Sequence, residues 1–562
     1  MTATMRRASV CDRSPGESRL VAEATGILVL VALTLFTPAS VKAQTSPRGV
    51  PAIRPDQLPT RAPVPTAAPR QVGARDAAAP IQPFKLTRVV IEGSTLPTSI
   101  LAEAYGPFIG RITDNAALTA VTNAIAAEYA RSDVALYTVM VPDQRFEDGV
   151  LRLAVIEGHI GRVEIRGKLR KSRLNLLRAY LRPIERERPL HSSTLQRAIS
   201  LIRDMPGVTT APTFDQGDGS GAVTLVIPVS EKVVEVATGI NDRGTALLGR
   251  TQAQVDVLVN GILSGGDQLR TTVVLPTHTS RFQYYAGTYT TPIDAHGTSI
   301  TGNLSYLSTR PAAIPLEGDA TSFGVQITHA LIRRYNKNLY ITAGVDGIDT
   351  NNALLGFMLS NDRVRALRLA TSYTTATKRN QLTLSATASF GLDVLGARVV
   401  AGQSKQRFRK INGRLNDSLQ VGRSFVIRLN GFGQMTGNDL PSSEQIALGG
   451  DEFGRAYEAA LIAGDEGYAG SAEFAWVPPK GLPTALTGSE LYVYSDAGHV
   501  TYRGRFGAEA ISSSLASIGG GIRLHIISKT ILQLECVRGL LNPVSYEDRE
   551  KARVLFSIRS LL

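Results

Sequence analysis

Arg455 and Asp496 are the two residues of this chain whose surroundings give them a task. Arg455 stands in the middle of Leu448–Gly467, LGGDEFGRAYEAALIAGDEG, where Gly449, Gly450, Gly454, Gly464 and Gly467 let the backbone fold tightly. Asp465 lies near the end of the same loop. The loop separates two alternating runs, Phe425–Phe432 and Ala469–Trp476, and Asp496, with Gly498 close by, ends the next run, Leu491–Ala497. Alternation puts Tyr492, Tyr494 and Asp496 on one face of a strand and Leu491, Val493 and Ala497 on the other. A carboxylate on such a face needs a cation, and a guanidinium suits it because two parallel N–H···O bonds can form. The expectation is that Arg455 pairs with Asp496 and pins a glycine-rich loop inside something hollow.

Other chemistry is missing from the sequence. The seven histidines are scattered and make no His-x-x-x-His or comparable metal spacing. There is no Gly-x-Ser-x-Gly nucleophile elbow and no phosphate-binding Gly-Lys-Ser/Thr loop. Asp215–Gly221 lacks the alternating acids and terminal Glu of a calcium loop and reads as a polar hairpin turn. Asp451 and Glu452 are paired acids within the glycine-rich loop, and no catalytic role is expected of them. No enzyme activity, metal or cofactor is expected.

The elements that must position the loop are read from periodicity. From Lys232 to Leu562 about sixteen segments of roughly ten residues alternate apolar and polar, separated by turn residues. Gln381–Phe390 is the clearest; Leu532, Leu534 and Cys536 likewise alternate with Gln533 and Glu535. With 43% hydrophobic residues and no run of about 18 apolar residues beyond the N-terminus, a helical membrane protein is excluded and a transmembrane barrel is not. A soluble β-sandwich array is the alternative, and it would need a second sheet over every apolar face. The last strand, Arg553–Leu562, should pair with the first, near Lys232–Asp242.

Ahead of the alternating region, residues 84–158 read strand, helix, helix, strand, strand, with Leu118, Val121, Ile125 and Tyr129 at helical spacing behind an N-cap at Thr113 or Asp114. Residues 159–230 repeat that order, with a second helix capped by Ser192 or Ser193. Residues 44–83 hold nine prolines and read as an extended linker without helical periodicity. Gly26–Phe36, preceded by Arg6, Arg7, Arg13 and Arg19 and followed by Val41-Lys42-Ala43, reads as a secretory signal peptide ending at Ala43. Of Cys11 and Cys536 only the second would remain, so no internal disulfide is expected. The formal charge of +13 is spread along the chain without an aromatic-interleaved basic module, so nucleic acid is not an expected partner. Its densest part, Arg166, Lys168, Arg170, Lys171, Arg173, Arg178 and Arg182, reads either as a solvated helix face or as a surface that captures an incoming chain or anionic lipid headgroups.

Gly454-Arg455-Ala456-Tyr457, set between Gly450 and the Gly464-Asp465 pair, resembles the Val-Arg-Gly-Tyr/Phe loop motif of the two-partner secretion transporters, the hemolysin secretion and activation proteins, with Ala in place of Gly. The string VPDQ…DGVLRLAVIEGHIGRVEIRG resembles one POTRA domain passing into a second. The resemblance implies a mainly β protein: two periplasmic α+β POTRA domains (84–158 and 159–230), then a 16-stranded antiparallel transmembrane β-barrel (231–562) with a lumen-inserted loop at 438–467. It implies an outer-membrane location and a secreted, large β-helical exoprotein as partner. The barrel would meet outer-membrane lipid and be inserted by the barrel-assembly machinery, although relatives end in an aromatic and this chain ends in Leu562. The rivals are a barrel-insertion factor of the same superfamily and a passive porin or receptor.

Overall fold

The computed structural model describes residues 72–73, 81–215, 221–312, 314–355, 357–478, 487–526, 529–541 and 552–562. The expected signal peptide and most of the expected linker lie outside the described residues. Val72–Gly73, from that linker, pairs in parallel with Tyr137–Met140 at the edge of the first α+β unit.

That unit holds a sheet in the order Val72–Gly73, Tyr137–Met140, Val150–Glu157, Arg88–Glu92. Helices Thr98–Tyr105 and Asn115–Arg131 accompany it, and the Asp114 carboxylate caps the longer one by accepting the Ala117 N–H at 2.9 Å. Val121, Ile125 and Tyr129 bury against Leu151 and Leu153. Tyr129 donates to Glu157 at 2.6 Å, and burial, reinforced by that carboxylate, pushes its phenol well above the ordinary range.

The second unit pairs His159–Arg166 with Ala222–Glu231 in parallel and adds Val208–Thr210 and Thr213–Asp215 as antiparallel neighbours of the latter. Its helices are Lys171–Arg186 and Ser192–Arg203. The expected Ser192 or Ser193 cap is not used: His191 occupies that position and no side chain of the segment caps the helix. Asp133 of the first unit takes over, accepting the Ser193 N–H at 2.9 Å. The acceptor comes from 60 residues away, so no local pattern could reveal it.

The alternating region closes into an antiparallel barrel of sixteen strands, from Val234–Asn241 to Arg553–Leu561, and these two pair over Ala237–Asn241. Lys232 Nζ also reaches the Leu562 carbonyl at 2.9 Å. Closure rules out the sandwich. Gln252, Gln254, Ser372 and Thr374 are buried on the inner face, while Leu304, Val325, Val345 and Val493 are exposed on the outer one. This inversion of the water-soluble pattern is what a lipid-facing barrel requires.

Strands Leu316–Arg333, Lys337–Leu354 and Phe357–Ala376 run 18, 18 and 20 residues, about twice the expected length. The upper parts of the second and third pack on the connections that follow strands Asn380–Gly391 and Phe425–Thr436, where Ile348, Val364 and Ala366 meet Phe408 and Leu440. Partners beyond a bilayer-high band therefore set their length, and sequence alternation does not report those partners.

The second unit sits against the short turns at one barrel mouth. Arg333 pairs with Asp204 at 2.5 Å, and Arg197 donates to the carbonyls of His296 and Ala330. Arg170 binds Glu231 at 2.7 Å and the carbonyls of Asn260 and Gly261 at 3.1 and 2.9 Å. Arg173 is wholly buried, donates to the Pro206 carbonyl and lies 3.3 Å from Glu231; burial lowers its affinity for the proton and Glu231 opposes that. These two arginines are thus no part of a free basic face, contrary to both readings above. Gly261 has φ +71°, and a Cβ there would come within 2.6 Å of the Arg173 guanidinium. Gly261→Ala should therefore loosen the seat by ~1–3 kcal/mol, seen as faster chymotrypsin cleavage between unit and barrel with barrel heat-modifiability unchanged. Unchanged cleavage would show that this contact does not hold the two together.

Candidate functional site: a loop folded into the barrel lumen

Following the strands up and down places the connection 437–465 at the mouth opposite the second unit, between strands Phe425–Thr436 and Glu466–Trp476. The connection turns back inside. Its short hairpin, Ile446–Leu448 with Ile462–Gly464, buries Ile446, Leu448, Phe453 and Ile462 against Ala469, Val500 and Leu515 of the inner wall. Glycine is needed where the two meet. A Cβ at Gly498 would lie 2.5 Å from Leu448 Cδ1, and Gly454 combines φ +81° with a Leu515 methyl 2.8 Å from where its Cβ would stand. Gly450 has φ +92°, and Gly464 lies against the Thr501 backbone.

Asp496 is 2% exposed and faces inward. Its partners differ from those expected. Oδ1 accepts the Gly454 N–H at 2.9 Å and the Ser517 hydroxyl at 2.6 Å, while Oδ2 accepts the Arg455 N–H at 3.2 Å. The carboxylate holds the loop by its backbone, and the expected guanidinium–carboxylate pair does not form. Once Asp496 grips that amide, the Arg455 side chain projects past it. Nη1 lies 3.2 Å from Glu473 and 3.6 Å from Glu535, and the guanidinium stacks 4.1 Å over the Tyr494 ring.

Glu473 also binds Arg523 and Arg428, each at 2.7 Å, and Glu535 lies 3.4 Å from Arg243. Two neighbours of Arg455 complete the tip. The Ala456 carbonyl accepts from Arg553 at 3.2 Å, and Tyr457 donates toward the carbonyls of Ala516 and Leu541. Ala456 has no positive φ, so its methyl is accommodated without strain. Asp451 pairs with Arg243 at 2.7 Å, and Glu452 pairs with Arg414.

Two further clamps hold the loop's stems. Asp465, wholly buried, accepts from the Leu440 and Arg503 amides and from Arg505, each at 2.8 Å. Glu444, also wholly buried, binds Arg368 at 2.7 Å and Lys410 at 2.9 Å, and Arg368 is held in turn by Asp346. The sequence reading missed Glu444, which lies in irregular chain with no periodicity to mark it. Glu473 and Glu535 it could have found, because both are carboxylates on the polar side of alternating strands, the same signal that singled out Asp496. Of the basic stretch, Lys168, Lys171, Arg178 and Arg182 are exposed, and Arg166 pairs with Glu164 at 3.1 Å. Among the described residues no cluster of His, Cys, Asp or Glu could hold a metal ion. The tip's charges answer one another, an arrangement suited to holding a segment in place.

The family described as haemolysin secretion/activation protein ShlB/FhaC/HecB matches residues 219–524, which is more than half of the chain. The chain belongs to this family. A ShlB-type POTRA domain matches residues 84–158. The heme/hemopexin transporter protein HuxB of Haemophilus influenzae is 20% identical over 506 residues, 83% of this chain and 86% of that protein. The outer membrane transporter CdiB of Escherichia coli O6:K15:H31 (strain 536 / UPEC) is 22% identical over 430 residues, 72% and 71% of the two chains. The solved structure of CdiB from Escherichia coli superposes with a TM-score of 0.69 at 17% identity, covering 99% of this chain and 100% of that one. A closed sixteen-stranded barrel behind a POTRA-type domain is thus the fold of this haemolysin secretion/activation family member.

Two predictions follow the two anchors. Asp496→Ala removes the acceptor for two loop amides and a hydroxyl, about 1.5–3 kcal/mol for each bond to a charged group. The loop tip should then become accessible, measured as faster labelling of a cysteine introduced at Ala456; labelling at the wild-type rate would show that the carboxylate is no anchor. Arg455→Ala leaves Glu473 and Glu535 short of a cation, with a cost of ~3–5 kcal/mol expected for breaking a buried pair. Adding Glu535→Gln should recover part of that loss in thermal stability but none of the Asp496→Ala loss. Equal recovery in both backgrounds would mean that the anchors are not separate.

Proposed function

We infer that this chain is an outer-membrane protein transporter that carries a large secreted partner to the cell surface. The observation that supports this most is the family's motif loop, anchored at three places within a barrel that has α+β units at one mouth. The units at 84–158 and 159–230 are read as periplasmic POTRA domains, and the barrel as embedded in outer-membrane lipid after delivery by the barrel-assembly machinery. The partner arrives unfolded and adds a strand to an exposed sheet edge, where main-chain hydrogen bonds give affinity. Arg88–Glu92 in the first unit and His159–Arg166 in the second each end their sheet. The exposed Lys168, Lys171, Arg178 and Arg182 then serve to attract an acidic segment of the incoming chain.

The lumen must clear for passage, so the loop moves as its clamps exchange partners. No nucleotide-binding loop occurs in the sequence, so the work comes from binding and from folding of the partner outside. A gene for a large β-helical exoprotein beside this one is the simplest sign of that partner. Deleting residues 84–230 should leave a heat-modifiable, inserted barrel that exports none of that exoprotein. Export at the full rate by the truncated protein would remove the units from the mechanism.

A further inference from the structure

The strand Phe357–Ala376 has an edge above the barrel along which no neighbouring strand pairs, among the described residues. On one side it pairs with Lys337–Leu354 along its whole length. On the other, its ladder with Asn380–Gly391 begins only at Ala366. Above that point the Leu392 N–H donates to the Arg365 carbonyl at 2.8 Å, a single bridge joins Arg363 to Arg398 with N···O distances of 2.7 and 2.9 Å, and the Arg398 guanidinium reaches the Asn361 side chain. Since Arg363 turns both its main-chain groups to this side, Asn361, two residues on, does the same. Among the described residues nothing continues the ladder past Arg363.

The same segment is apolar and exposed. Leu355 is 68% exposed, Phe357 77%, Met358 68% and Leu359 51%, and no charge falls between Ala353 and Asn361. Edge strands are ordinarily blunted by lysine, proline or a covering element, and exposed apolar clusters mark interaction sites. A membrane β-strand needs about 9–11 residues, so a 20-residue strand carries its tip clear of the bilayer. The turn at the strand pair's other end, where Arg333 binds Asp204, lies against the second α+β unit, so the tip stands at the opposite mouth. The motif loop enters the lumen from that same mouth.

We propose that Phe357–Asn361 is an exit-side docking strand, which receives an extended, alternating apolar segment of the partner polypeptide as it leaves the lumen. This rests on the transporter reading and adds to it a place where the emerging chain is first held. Main-chain bonds to the Asn361 edge supply the register, and Phe357, Met358 and Leu359 supply apolar contact. An edge of this kind takes any strand-forming segment, which suits a partner built of repeated strands.

The test needs no partner. The full chain in phosphatidylethanolamine–phosphatidylglycerol nanodiscs is mixed with a fluorescent twelve-residue peptide of alternating Val and Thr that ends in benzoylphenylalanine. Cross-links should map to residues 353–361. Asn361→Pro, which removes the edge N–H, and Phe357→Lys with Leu359→Lys should each weaken binding at least tenfold, with heat-modifiability unchanged. Cross-links confined to the POTRA edges, or wild-type affinity in both variants, would overturn the proposal. So would a peptide-insensitive dimer abolished by Asn361→Pro, which would assign the edge to a second copy. Quenching of a Phe357→Trp variant by brominated lipid would overturn it as well, by placing the tip in the bilayer. Export of the exoprotein is read separately in cells, so its failure would count against transport and leave the peptide result to stand alone.

Discussion

In the hydrocarbon of a bilayer there is no water to bond a free N–H or C=O, so a sheet that crosses it must close on itself. The pairing of Val234–Asn241 with Arg553–Leu561 meets this constraint, and much else follows from it. A closed sheet has an inside and an outside. With lipid outside, the apolar residues of each strand must face outward, and the polar residues are left to line the lumen. A lumen enclosed by sixteen strands is too wide for side chains to fill, so something else must occupy it or water will.

Here the motif loop enters that space, and the polar lining explains how it is held. An apolar loop tip alone would find little to pack on. The inner wall supplies apolar patches, Ala469, Val500 and Leu515 under the hairpin and Ile348, Val364 and Ala366 beside Leu440, and around the tip it supplies carboxylates and guanidiniums. The loop is accordingly fixed by charge: Asp496 on its amides, Asp465 and Glu444 at its stems, Arg455 among Glu473, Glu535 and Tyr494. Breaking a buried pair by removing one partner is costly, because it leaves an uncompensated charge. A loop held by several such pairs is therefore held firmly.

The differences between expectation and structure share one cause. Asp496 was expected to bind the Arg455 guanidinium but binds its backbone amide, because the position of the tip decides which donor comes within reach. The helix beginning at Ser192 was expected to cap itself and is capped by Asp133 from the preceding unit. Arg170 and Arg173 lie on what sequence shows as a basic helix, yet they face Asn260, Gly261 and Pro206. In each case the residue type was a sound guide to the chemistry, and the partner was a group brought close by folding.

The sequence by itself determined the class of this protein. Period-two alternation is a local property set by the pleat, so it announced the strands, their lipid-facing sides and the inward direction of Asp496. Helical spacing and the turn residues between segments announced the α+β units in the same way. Glycines at 454 and 498 were visible as glycines, but the close approach that requires them was not. The tertiary structure alone decided strand length beyond the bilayer, the seat of the second unit on the barrel, the place of Glu444 and the pairing of every charge in the lumen. The reason is physical: alternation and spacing are written within a few residues of chain, whereas a salt bridge or a cap is a distance between residues that sequence separation does not constrain.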